Sequence, residues 1–192
     1  MSKLLIVIPA YNEEANIVKV VNGIVKNYPQ YDYVVVNDGS RDKTAAICRE
    51  HGFRLIDLPV NLGLAGAFQT GLRYAAENGY DCAMQLDADG QHRPEYIAAM
   101  LEELESGADI VIGSRFLTVK KPKSLRMLGS YIIKNGAVVR EVQVTMGERE
   151  AGQSYLTFWR SIEYMVKMSI SILLIQWFRK RDTETPYPER SL

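Results

Sequence analysis

Two aspartates spaced by two, Asp87 and Asp89, end an apolar run and are followed by Gly90, Gln91 and His92. Side chains two apart leave an extended backbone in the same direction, so the two carboxylates would converge on one point. Two hard oxygen ligands that close suit Mg²⁺ or Mn²⁺, with waters and the phosphate oxygens of a substrate filling the other positions. The same letters also suit a surface turn, because Asp and Gly are ordinary turn residues. Two further polar clusters stand in the same relation to apolar runs: Tyr11-Asn12-Glu13-Glu14 and Asn37-Asp38-Gly39-Ser40. His92 could serve as a ligand or a base, but a structural role at the start of the next helix is the favoured reading.

The elements that must position these clusters can be read from hydrophobic spacing. Leu4 to Ile8 is a continuous aliphatic run, as expected for a strand covered on both faces. Asn12 is expected to cap a helix carrying Glu13 and Glu14 in its first turn, with Ile17, Val20, Val21, Ile24 and Val25 at helical spacing. A strand at Tyr33 to Val36, a helix at Asp42 to Glu50 and a strand at Phe53 to Leu58 follow. Asn61-Leu62-Gly63 opens a helix running to about Asn78, whose small residues allow close approach either to the sheet or to a ligand's phosphates. Tyr80 to Leu86 is the strand that delivers the aspartates, Pro94 to Ser106 a helix with Pro at its start, and Asp109 to Gly113 a fifth strand. Five alternations of strand and helix call for an α/β fold: a mostly parallel sheet with helices on both faces. Open parallel sheets bind ligands at the carboxyl ends of their strands, and all three polar clusters belong at that edge. This raises the site reading well above the turn reading.

The 192 residues fit one domain, or one domain with an appendage, and the 47% apolar and 24% charged shares are those of a globular protein. Lys plus Arg equals Asp plus Glu at 23 each, so no overall field argues for nucleic acid. Cys48 and Cys82 lie in apolar elements and read as small buried hydrophobes in a reducing compartment. Five apolar residues from Leu4 are too short for a signal-peptide core, so a protein that starts in the cytosol is expected.

The clusters, in this order, resemble family 2 glycosyltransferases of the GT-A fold. Pro9-Ala10-Tyr11-Asn12-Glu13-Glu14 is similar to the family's opening motif. Asn37-Asp38-Gly39-Ser40 is similar to its "DDGS" with Asn at the first position. Asp87-Ala88-Asp89-Gly90-Gln91-His92 resembles its metal motif, and Gly113-Ser114-Arg115-Phe116 its "GSR[FY]". Within the family the likeness is to the polyprenyl-phosphate sugar transferases, and it runs from residue 3 to about 130. The resemblance implies that Pro9, Tyr11 and Glu13 frame the nucleobase and ribose, and that Asp38 reads the base edge. It further implies that Asp87, Asp89 and Gln91 hold Mg²⁺ or Mn²⁺ on the donor's diphosphate, Asp89 being catalytic. Arg115 is implied as a catalytic residue facing the acceptor phosphate or the leaving diphosphate.

Beyond Arg126 the match breaks. Arg126 and Ser130 resemble the start of the acceptor-phosphate segment, yet a block of several tens of residues expected between Ser130 and Tyr131 is absent. Ala137 to Thr145 is expected as a last strand, and Met146 to Ser154 resembles the "R-x-x-G-x-S" loop, in which Arg149 would reach a phosphate. Domain boundaries are therefore expected at 1–154 for the glycosyltransferase domain, 155–181 for an amphipathic C-terminal helix and 182–192 for a loose tail. Met168 to Phe178 is an uncharged run of only 11 residues, short of the roughly 20 that cross a bilayer. Its tryptophan and Arg179-Lys180-Arg181 suit an interfacial helix on a membrane surface, with packing on the domain, a homo-oligomer or a small membrane-protein partner as the other uses. The implied activity is an inverting transfer from a nucleotide-sugar, with UDP-sugar preferred, to a polyprenyl phosphate at the cytoplasmic face of the plasma membrane. Two alternatives stand beside it: a transferase with a non-lipid acceptor, and a nucleotide-binding homologue without catalysis.

Overall fold

The computed structural model describes residues 2–114 and 138–147. Chain contacts divide the protein into two units, Met1–Gly152 and Gln153–Leu192, and every described residue belongs to the first. The tail helix, the loose end and the break after Ser130 lie outside the described residues.

Four parallel strands form the main sheet in the order β3-β2-β1-β4: β1 (Leu4–Ala10), β2 (Asp32–Asn37), β3 (Leu55–Asp57) and β4 (Cys82–Gln85). All seven residues of β1 are buried, because it is flanked by β2 and β4 and covered on both faces. Its side chains alternate accordingly. Leu4, Ile6, Ile8 and Ala10 pack with Ile17, Val21, Ile24, Cys48 and Ile97 of helices α1 (Ile17–Asn27), α2 (Thr44–Glu50) and α4 (Ile97–Glu105). Leu5 and Val7 pack on the other face with Ala67 and Ala75 of α3 (Gly63–Glu77). Each fully buried Leu, Ile or Val contributes about 1.5–3 kcal/mol by leaving water, so this strand anchors both halves of the core.

The remaining described strands, β5 (Ile110–Ser114) and β6 (Val139–Gln143), pair parallel with each other and form a separate two-stranded sheet. They are tied to the body through α4, where Arg140 bonds Glu103 at 2.8 Å, and through Thr145, which meets the Tyr96 hydroxyl at 2.7 Å.

Two local expectations are corrected. Asn12 does not cap α1, which begins five residues later at Ile17. Asn12 takes a left-handed backbone, φ 56°, and its Oδ1 accepts instead from the Arg41 N–H at 2.8 Å. Consequently Glu13 and Glu14 lie in the connecting loop rather than in a first turn. Gly71 of α3 serves packing on the sheet: a Cβ there would fall 2.2 Å from Val7 Cγ1, whereas one on Gly63 would meet nothing within 4 Å. Val25, expected on the buried stripe of α1, is 48% exposed, while Ile17, Val21 and Ile24 carry the contact.

Candidate functional site

Parallel register sets the site's frame. Ala10 pairs with Asn37 at the ends of β1 and β2, Val7 pairs with Gln85, and the Leu86 N–H donates to the Val7 carbonyl at 3.0 Å. The loops after β1, β2 and β4 therefore leave the sheet side by side at one edge. Pro9 is buried in β1, past the last rung of the β1–β4 ladder, where its missing N–H costs no strand bond.

The first two loops are stapled together by side chains. The Asn12 N–H donates to Ser40 Oγ at 3.0 Å, the Glu13 N–H to Thr44 Oγ1 at 2.9 Å, and the Glu14 N–H to Asp42 Oδ2 at 3.1 Å. In return the Lys43 N–H donates to Glu14 Oε2 at 3.0 Å. Glu13 is 8% exposed, and its Oε2 accepts from Asn16 Nδ2 at 2.7 Å. Tyr11 sits half-buried directly after β1.

Asp38, 4% exposed, ties the second loop to a third. Its N–H donates to the Ala10 carbonyl at 2.8 Å. Its Oδ1 accepts from the Leu62 N–H at 2.6 Å, and its carbonyl accepts from Asn61 Nδ2 at 3.0 Å. Gly39 follows at φ +63°, and a Cβ there would lie 2.7 Å from Asn61 N and Val60 C. Only glycine fits this crossing.

Past the end of β4 the burial alternates. Leu86 and Ala88 are buried at 3% and 2%, while Asp87 and Asp89 are both half-buried at the same edge. Asp87 Oδ1 accepts from Gln85 Nε2 at 2.7 Å, and Asp89 Oδ1 accepts from the Gln91 N–H at 3.0 Å. The Asp87 N–H donates to His92 Nδ1 at 2.9 Å. That nitrogen also lies 3.7 Å from Asp87 Oδ2, but a contact that long is no hydrogen bond, and an Nδ1 that accepts a proton cannot also carry one. The 2.9 Å bond defines the ring's role. The Gln91 carbonyl accepts from the Gly147 N–H at 2.9 Å, which lays the segment after β6 against this loop.

Among the described residues no group of three or more His, Cys, Asp or Glu could hold a metal ion by itself. The donor set at Asp87 and Asp89 does fit a hard divalent cation that takes its other ligands from water and substrate phosphates. A cleft of about 250 Å³ beside α1 has Lys19, Asn27, Tyr28, Asp89 and His92 on its rim. Of the residues predicted from sequence, Tyr11, Glu13, Asp38, Asp87, Asp89 and Gln91 stand in loops at one sheet edge. Arg115, Arg126, Ser130 and Arg149 lie outside the described residues. Gln85, Thr44 and Asn61 were missed; for Gln85 the signal was its position two residues before Asp87.

The chain is 33% identical over 121 residues to polyprenol monophosphomannose synthase of Mycolicibacterium smegmatis, covering 60% of this chain and 46% of that protein. It is 35% identical over 141 residues to a UDP-N-acetylglucosamine–dolichyl-phosphate N-acetylglucosaminyltransferase of Methanococcus voltae, covering 64% and 55%. The chain thus spans about half the length of the curated relatives it matches. Its fold is similar to that of glucosyl-3-phosphoglycerate synthase from Mycobacterium tuberculosis, solved with Mn²⁺, uridine-diphosphate and phosphoglyceric acid. The TM-score is 0.61 at 19% identity, over 100% of this chain and 82% of that one. With three motif loops on one edge of a parallel sheet, and residues 5–163 matching the model of that family, the chain belongs to glycosyl transferase family 2.

Proposed function

We propose that this chain is the nucleotide-sugar-binding and catalytic part of an inverting, metal-dependent glycosyltransferase that moves a sugar from a UDP-sugar to a polyprenyl phosphate at the cytoplasmic face of the membrane. The observation that carries this reading is the gathering of the Tyr11–Glu14, Asn37–Ser40 and Asp87–Gln91 loops at the carboxyl ends of β1, β2 and β4. Relatives named for polyprenol and dolichyl phosphate support the acceptor, and one named for a UDP-sugar supports the donor.

In this reading Tyr11 and Asp38 hold the base and ribose, Asp38 through the carboxylate oxygen that Leu62 leaves open. Asp87 and Asp89 would hold Mg²⁺ or Mn²⁺ through the oxygens not taken by Gln85 and the Gln91 N–H. When bound, the ion neutralises the donor's diphosphate and makes it a better leaving group. A unit charge pair at 4 Å is worth about 4 kcal/mol at an effective dielectric near 20, so a divalent ion held by the two carboxylates would outweigh their repulsion of the diphosphate and dominate where it sits. The acceptor phosphate is already anionic at neutral pH. Its oxygen forms the new bond to the sugar's C1 as the bond to the diphosphate breaks, and the electron pair leaves with the nucleotide. No strong general base is required of the chain. Arg115, Arg126, Ser130 and Arg149 are proposed to meet the two phosphates, and residues 155–181 to lie on the membrane. Among the described residues no helix is long and apolar enough to cross a membrane. The exposed Val60 and Leu62, in the loop that Asp38 pins, and Leu64 in the first turn of α3 support contact between this edge and a lipid surface.

The test is a thermal-shift series with nucleotide sugars, with and without Mn²⁺, followed by transfer of labelled sugar to polyprenyl phosphate. Binding to the native state alone raises stability by mass action. Asp89→Ala should abolish metal-dependent transfer and leave the apo protein folded, with circular dichroism close to the parent; undiminished turnover excludes the metal role. Donor binding without transfer to any lipid phosphate would instead favour a non-catalytic homologue.

A further inference from the structure

We propose that Gln85 and His92 are positioning residues that clamp Asp87 from both sides, and that His92 acts through Nδ1 as an acceptor, neither as a metal ligand nor as a base. The inference rests on the reading of Asp87 as a metal ligand. Three observations carry it. Gln85 Nε2 donates to Asp87 Oδ1 at 2.7 Å, which fixes the rotation of the carboxylate. The Asp87 N–H donates to His92 Nδ1 at 2.9 Å, which fixes the backbone where β4 has ended and no ladder bond restrains it. The loop between them is short and turns at Gly90, φ +77°, so a ring at residue 92 can reach back to residue 87.

The hydrogen bond also decides the tautomer. An Nδ1 that accepts from an amide carries no proton, so the ring's proton is on Nε2. In that form Nδ1 is occupied by the amide, and Nε2 presents a donor where a metal or a departing proton would need a lone pair. A freely rotating Asp87 would have to be ordered by the incoming ion; a clamped one is already aimed, and loss of such supporting groups typically weakens metal binding roughly 10–100-fold.

The experiment uses the full chain with UDP present and Mn²⁺ binding read by electron paramagnetic resonance of the free ion. Gln85→Met and His92→Phe should each weaken Mn²⁺ binding roughly 10-fold or more, with circular dichroism and melting temperature close to the parent. His92→Asn, whose side-chain oxygen can occupy the place of Nδ1, should restore affinity to within about threefold of the parent, whereas His92→Gln, which mimics Nε2, should not. The opposite ranking of Asn and Gln would overturn the clamp and make His92 a ligand or base through Nε2. Parent-like Mn²⁺ affinity in Gln85→Met and His92→Phe would overturn it as well. A readout without metal separates this from failure of the functional reading. In the apo protein, ¹⁵N spectra should show the Nε2–H tautomer of His92, and the Asp87 amide should exchange slowly with solvent. That protection should vanish in His92→Phe and persist in His92→Asn. A fast-exchanging Asp87 amide in the parent overturns the clamp by itself. Protection without any Mn²⁺ binding leaves the clamp geometry and sinks the metal reading on which its purpose depends.

Discussion

Asn37 stands where the resembling family motif begins with Asp, and its surroundings account for the change. It pairs in register with Asp57 across β2 and β3, and its Nδ2 donates to Asp57 Oδ1 at 2.6 Å. A carboxylate at position 37 would face a second carboxylate at hydrogen-bond distance, and like charges that close raise one partner's pKa or push the pair apart. The amide has its own cost, since Asn37 Oδ1 is buried with no partner. Asn37→Asp should therefore lower stability in chemical denaturation by about 1–3 kcal/mol, and adding Asp57→Asn should restore most of it. A strictly additive double mutant would remove the pair from the explanation. Of the site residues, the acidic pair at 87 and 89 was legible as two carboxylates closing an apolar run. However, β4 ends at Gln85 and residues 88 and 89 lie in a turn, so their spacing of two is not carried by extended backbone. The roles of Gln85, His92 and Asn61 were not legible, because hydrogen-bond partners depend on rotamers and on neighbours the sequence does not align.

At the level of elements, the strongest constraint is the approach of α3 to β1. A Cβ at Gly71 would meet Val7 Cγ1 at 2.2 Å and Cγ2 at 2.7 Å, and Val7 is fully buried in the central strand. Gly71→Ala should cost about 1–3 kcal/mol through overpacking, despite alanine's better helix propensity, and truncating Val7 to Ala in the same chain should relieve part of it. Equal or higher stability for Gly71→Ala alone would show that α3 sits farther from the sheet. The failure of Asn12 as a cap belongs to this scale too. Its amino-acid type was right for a helix start, yet the loop after β2 supplied an N–H donor, Arg41, that competed for its side chain.

Across the whole molecule, Asp32 links three strands. It opens β2, pairs with Arg54 before β3, and accepts from the Tyr80 hydroxyl before β4 at 3.1 Å. Burial raises its pKa, but the hydrogen bonds from Arg54 and Tyr80 and the charges of Arg54 and Lys3 outweigh that, and the net value lies below the ordinary carboxylate range. A carboxylate depressed by folding stabilises above its unfolded value near pH 4 and loses that contribution as pH falls through the folded value. Asp32→Asn should thus flatten the acid limb of a stability–pH profile below about pH 4, and leave its alkaline limb alone. Cys48 reports on the same core. Fully buried, its thiol is pushed up to about 11 by burial, so it should resist alkylation at about pH 8, near the ordinary thiol range, until the molecule unfolds globally. Labelling at the rate of an exposed thiol would mean that the α2 side of the core opens locally.

The sequence alone determined the alternation of strands and helices, the edge at which the polar clusters gather and the family they resemble. Periodicity and loop composition are local, and a parallel sheet leaves only one edge for loops that follow strands. Only the tertiary structure decided that Asn12 braces a neighbouring loop, that Gly71 makes room for Val7, and that His92 holds the amide of Asp87. Each of those outcomes is a contest among partners far apart in the chain or in its turns, and which partner wins depends on how the packed elements bring donors and acceptors within about 3 Å of one another.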